Sequence, residues 1–116
     1  QNGHKLGFPT ANIDISKTEK LLPEMGVYAV RVSILGNSKK YDGMLNIGTR
    51  PTFNGRNISV EVNIFDFSDD LYGRIIEVSF ITRIRSTQKF SSIDALANQM
   101  KLDAKQIRTI LKNNKN

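Results

Sequence analysis

Leu6-Gly7-Phe8-Pro9-Thr10-Ala11-Asn12 sets a glycine, a proline and two short oxygen-bearing side chains between apolar residues, a composition that holds a backbone still beside a polar ligand. Pro9 fixes its own φ and pushes Phe8 toward extended geometry, so Thr10 and Asn12 are expected two residues apart on one face of a short extended segment. Two neutral oxygens aimed at one point suit a hard cation such as Mg²⁺, which takes few protein oxygens and fills its remaining positions with water and substrate phosphates. Taken by itself the stretch reads more simply as a surface turn, because Asn and Thr occupy turns readily. The second candidate is Glu61, a carboxylate on the polar side of an alternating run with no cation beside it in the sequence. Alone, it too has a simpler reading, as a solvated strand residue.

These side chains need elements to hold them, and the chain supplies alternating runs. Ile13 and Ile15 alternate with Asp14 and Ser16 as a short strand, followed by a polar connection that ends at Pro23 and Gly26. In 27–35, Tyr28, Val30, Val32 and Ile34 recur with period two and share a face, with Arg31 and Ser33 opposite. A turn at Gly36-Asn37-Ser38 and a return strand over 39–47 predict an antiparallel hairpin. Gly43 marks a bulge first, or else a close approach of backbone. Residues 48–57 are expected to form a long, mobile flap. In 58–65, Ile58, Val60, Val62 and Ile64 line one face and Ser59, Glu61, Asn63 and Phe65 the other. After an acidic loop over 66–73, Ile76, Val78, Phe80 and Thr82 define one more strand that runs into Arg83-Ile84-Arg85. Short antiparallel strands with turns at this spacing predict a small closed barrel.

The period then changes. Ser91 with Asp94 is a capping-box-like start, and Ile93, Leu96, Ala97 and Met100 make one apolar stripe, so a helix is expected over about 91–101. Asp103 repeats the capping logic for a second helix over about 103–112, with Ile107, Ile110 and Leu111 as its buried face. Lys101, Lys105, Arg108, Lys112 and Lys115 form a solvated basic face.

Gly7-Phe8-Pro9-Thr10-Ala11-Asn12 resembles the signature of riboflavin kinase, the flavokinase domain. Further blocks fall in that family's order and spacing: Gly26-Val27-Tyr28, the run from Asn46-Ile47-Gly48 to Arg50-Pro51-Thr52-Phe53, Glu61 with Phe65-Asp66-Phe67, Asp70-Leu71-Tyr72-Gly73, Ile84-Arg85 with Lys89-Phe90, and Leu96, Gln99 and Asp103. The resemblance covers the chain from about Gly3 to the end of the second expected helix. It implies one mainly β domain over 1–116, a six-stranded antiparallel Greek-key barrel whose first strand is missing from this N-terminally truncated piece, with strands within 9–85 and one or two C-terminal helices packed on it.

The same resemblance implies chemistry: ATP-dependent phosphorylation of riboflavin to FMN. A kinase for a small alcohol must orient a hydroxyl, weaken the hold on its proton and neutralise the transferring phosphoryl, mostly by positioning and electrostatics. By resemblance Glu61 is the general base, and Thr10 and Asn12 hold Mg²⁺ between ATP phosphates and protein. His4 and Lys5 stand where the family grips phosphate, His4 in place of a common Arg, and Ile64, Asp66 and Tyr72 match ATP-contacting positions. Arg85, Gln88 and Phe90 match the segment that lies against the flavin, with Ser86 and Thr87 in place of the usual Pro-Glu or Asp-Glu. In bacteria this domain usually forms one half of a bifunctional FAD synthetase, so an upstream FMN adenylyltransferase domain is the implied partner.

Composition bounds the alternatives. At 116 residues, 39% hydrophobic and 24% charged, the chain is a single globular domain, and no apolar run reaches the ~18 residues of a membrane helix. The absence of cysteine excludes a disulfide framework and thiolate metal sites and fits the cytoplasm. A formal net charge of +6 invites a polyanion, nucleotide or nucleic acid. A nucleic-acid-binding barrel needs solvent-facing aromatics, and Phe8, Tyr28, Phe53, Phe65, Phe80 and Phe90 read better as core or ligand-pocket residues. A flavin-binding fragment without catalysis is the third reading. No membrane or nucleic-acid partner is expected.

Overall fold

The computed structural model describes residues 10–12 and 22–114. The strand expected over 13–16, His4, Lys5 and Lys115 lie outside them. Five antiparallel strands, β1 (Thr10–Asn12), β2 (Gly26–Ile34), β3 (Lys40–Thr52), β4 (Gly55–Ile64) and β5 (Ile76–Arg85), form one sheet in the order β1-β4-β3-β2-β5, followed by one helix, α1 (Ile93–Asn113). The fold is mainly β with a C-terminal helix, as the alternation implied. The sheet is not closed among the described residues, because β1 and β5 sit at its opposite ends.

Strand alternation divides the core in two. On one face Tyr28, Val30, Val32 and Ile34 meet Leu45, Ile47, Val60, Val62 and Ile64. On the other, Val27, Ala29, Met44 and Phe65 pack against Ala104, Ile107 and Leu111 of α1. Fully burying a side chain such as Ile107 or Leu111 stabilises by roughly 1.5–3 kcal/mol, so this seam fixes the helix to the sheet.

Several sequence expectations change. The 48–57 flap is instead ordered ladder: β3 runs on to Thr52, and Thr52 pairs with Gly55 across the two-residue turn Phe53-Asn54. Gly55 at φ 132° makes that turn possible. Pro51 is tolerated because β2 pairs with β3 no further than Ile47, so among the described residues β3 beyond it has a partner on one side only. Phe53, expected in core or pocket, is fully exposed at the tip of this two-stranded arm.

Gly43 is not a bulge. It pairs in register with Val30 and Ile64, and a Cβ there would lie 2.8 Å from the Asn63 carbonyl oxygen, so the glycine serves close approach of β3 and β4. Gly43→Ala is expected to cost about 1–3 kcal/mol by forcing those strands apart. A thermal melt checks this; an unchanged midpoint would mean the strands adjust freely.

The bulges fall in β5. Its register against β2 slips at Ile81 and again at Ile84, and both side chains pack on the helix-side cluster. Thr82 is thereby paired with Ala29 instead of continuing the face of Ile76, Val78 and Phe80. Two slips cancel, so Arg85 ends on the helix side opposite Val27.

The two expected helices are one. No Gly or Pro interrupts 91–112, so helix continues through Leu102-Asp103 without penalty. Asp103, expected as a cap, spends its carboxylate on Arg85 and Gln99. The actual N-cap is Ser92, one residue past the expected Ser91, whose Oγ accepts from the Ala95 amide at 3.0 Å. Ile93, expected on the buried stripe, is exposed. At the other end Arg31 donates to the carbonyls of Leu111 and Asn114, fastening the last turn of α1 to β2.

Candidate active site

Ladder register sets the site. Glu61 of β4 stands opposite Asn12 of β1 on one side and Asn46 of β3 on the other. Asn46 faces Val27, and Val27 faces Arg85. One transverse row thus reads Asn12, Glu61, Asn46, Val27, Arg85 across all five strands. At ~4.8 Å per strand it spans about 19 Å. Val27 packs with α1, so this is the helix-bearing face, at the level where Gln99 and Asp103 meet the sheet.

Glu61 is half-buried, and among the described residues no Lys or Arg pairs with it. Its cross-strand partner on β3, Asn46, bears an amide, which can orient a carboxylate or a hydroxyl without neutralising it. Thr10 stands opposite Asn63, so the ladder sets both expected metal-binding positions of β1 beside the strand that carries Glu61.

Arg85 is held rigidly. Its Nε and Nη2 donate to the Asp103 carboxylate at 2.8–3.1 Å and its Nη1 to the Ser86 carbonyl, while its guanidinium carbon lies 5.8 Å from the Phe90 ring centroid. Asp103 is 2% exposed and takes a further bond from Gln99 at 3.0 Å. Two of the expected flavin-binding residues, Arg85 and Phe90, are therefore adjacent; Gln88 between them is exposed.

The expected ATP-contacting residues are less gathered. Ile64 is buried in the inner core cluster. Asp66, with φ 57°, pairs with Arg108 of α1 at 3.0 Å, and that hydrogen bond and charge hold its carboxyl below the ordinary carboxylate range. It stands five positions past Glu61, roughly 16 Å at strand rise. Tyr72 is exposed, and its backbone amide donates to Asp70. Sequence reasoning gave Asn46 no role and made Asp103 a helix cap instead of the partner of Arg85. The signal for Asn46 was a single polar residue inside the apolar run Met44-Leu45-Asn46-Ile47.

Glu61 and its cross-strand partner Asn46 thus share a transverse row with Arg85, which is held beside Phe90 on the helix-bearing face of the sheet. The chain belongs to the riboflavin kinase family, whose model, described as Flavokinase, matches residues 1–111. It is 40% identical over 106 residues to the bifunctional riboflavin kinase/FMN adenylyltransferase of Bacillus subtilis, covering 89% of this chain and 33% of that protein. It is 45% identical over 101 residues to the enzyme of the same description from Escherichia coli K12, covering 87% and 31%. A protein described as the RNA-binding riboflavin kinase RibR of Bacillus subtilis is 42% identical over 105 residues, covering 89% and 43%. The chain thus spans about a third of the bifunctional relatives' length. Among solved structures, one described as a macrolide-efflux protein from Streptococcus pneumoniae matches with a TM-score of 0.80 at 40% identity, over 91% of this chain and 34% of that one. Among the described residues no helix is long and apolar enough to cross a membrane.

Proposed function

We propose that this domain transfers the γ-phosphoryl group of ATP to the terminal hydroxyl of riboflavin, giving FMN and ADP. The observation that carries the reading is the row that sets Glu61 between Asn12 and Asn46 and in line with Arg85. Glu61 takes the hydroxyl proton as the oxygen attacks, and among the described residues no cation pairs with its carboxylate to blunt it. Phe90 and the segment Ser86 to Gln88 receive the flavin ring, and Arg85 supplies a fixed positive edge beside it. The hydroxyl of Thr10 and the amide oxygen of Asn12 are neutral, hard donors, a set that fits Mg²⁺ whose charge is balanced by phosphates. That ion, when bound, neutralises the transferring phosphoryl. His4, Lys5, Ile64, Asp66 and Tyr72 are assigned to the nucleotide.

By analogy with the bifunctional relatives, the domain works in the cytoplasm beside an FMN adenylyltransferase domain of the same chain. A full-length protein given riboflavin, ATP and Mg²⁺ is expected to form FMN and ADP in equal amounts. Neither FMN nor riboflavin-dependent ADP release would remove the kinase reading and leave flavin binding alone.

A second reading has one observation behind it: Phe53 is exposed on the β3–β4 arm with Arg50 and Arg56 nearby, and one relative is described as RNA-binding. Single-strand binding stacks successive bases on several aromatics, and this arm offers one, so the kinase reading is preferred.

A further inference from the structure

We propose that Asn46 is a substrate-binding residue whose side-chain amide holds the polyhydroxylated chain of the acceptor between its ring and its reacting end. The inference rests on the riboflavin kinase reading above, which fixes the two ends of the acceptor: the ring against the segment that follows β5, and the terminal hydroxyl at Glu61. In the transverse row the strand between those ends that bears a polar residue is β3, and the residue is Asn46. Directly opposed residues of an antiparallel pair stand with Cβ atoms ~4.5–5.5 Å apart on one face, so the amide shares the face of Glu61.

Local geometry sets a buried position without a side chain beside Asn46. Gly48, two residues on and on the same side of β3, carries no side chain, and among the described residues a Cβ built on it would meet only Asn46 Nδ2 at 3.8 Å and Thr87 Cγ2 at 3.9 Å. Thr87 belongs to the segment assigned to the flavin. The space over Gly48 is thus bounded by the Asn46 amide on one side and that segment on the other, which is the path a chain from ring to Glu61 would take. A glycine in a strand interior often marks such a close approach by a ligand. Asn46 is half-buried, and among the described residues its side-chain amide makes no hydrogen bond, which leaves its donor and acceptor to a ligand. Each hydroxyl of a sugar-alcohol chain both donates and accepts, and a carboxamide offers one of each.

The test uses the full-length protein, Asn46→Ala, and Asn46→Ser as a smaller polar replacement. Binding of riboflavin and of lumiflavin, the same ring without the hydroxylated chain, is read by flavin fluorescence quenching, and KM for riboflavin and ATP by steady-state kinetics. Loss of a neutral hydrogen bond predicts riboflavin binding weaker by about 3–10-fold in Asn46→Ala. Lumiflavin binding and KM for ATP should stay within twofold, and Asn46→Ser should fall between wild type and Asn46→Ala. Unchanged riboflavin affinity, or an equal loss for lumiflavin, would overturn the proposal. If the wild-type protein bound riboflavin but formed no FMN, the kinase reading would fail on its own, while the riboflavin-to-lumiflavin comparison would still decide whether Asn46 holds the chain.

Discussion

Glu61→Gln is expected to lower turnover by about 10²–10⁴-fold while riboflavin and ATP affinities stay almost unchanged. The substitution keeps the side chain's shape and hydrogen-bonding reach and removes its capacity to accept a proton, so it separates base chemistry from packing. Glu61 suits the experiment because its cross-strand neighbours are Asn12 and Asn46 and no ion pair among the described residues depends on its charge. An amide there orphans no cation among the described residues, and the melting temperature should hold within a few degrees. Single-turnover FMN formation, with binding measured separately, checks the prediction. A variant keeping more than about a tenth of the wild-type rate would return Glu61 to the status of a solvated strand carboxylate.

Asp103→Ala should act on stability. Removing one partner of a buried ion pair costs about 3–5 kcal/mol, chiefly because the other charge is left without compensation. Here the Asp103 side chain is 2% exposed and that of Arg85 20%, so Arg85 can recover some hydration and the loss should sit at the low end, about 3 kcal/mol. For a domain of this size that corresponds to a fall in melting temperature of about 10 °C. Asp103→Asn, which keeps an acceptor for Gln99 and for one Arg85 donor, should lose less. A shift under 2 °C for Asp103→Ala would mean that the pair contributes nothing net. Because Asp103, Gln99 and the Ser86 carbonyl fix Arg85 beside Phe90, the same variant should also loosen the flavin segment, seen as weaker binding of lumiflavin as well as riboflavin. That pattern differs from the one expected of Asn46.

The period-two runs of β2 and β4 were enough, by themselves, to fix which residues face which side, because in a strand the side of a residue follows from its parity alone. Tyr28, Val30, Val32 and Ile34 meet Val60, Val62 and Ile64 as alternation requires, while Phe65 turns to the helix. The motif blocks likewise sufficed for the family. Register was another matter. That Glu61 lies opposite Asn46 depends on a two-residue turn at Phe53-Asn54, and shifting that turn by one residue would set a different residue opposite the carboxylate. The paired bulges of β5 are equally invisible to pattern, since Ile81 and Ile84 are apolar on either face and only packing against α1 tells where they go. Asp103 shows the same limit: its local sequence looks like a helix start, and a guanidinium 18 residues earlier in the chain claims its carboxylate instead. Alternation and capping are written in neighbouring residues and can be read there; pairing between distant strands is decided by the whole sheet, and so only the tertiary structure could bring Asn46 to Glu61 and Asp103 to Arg85.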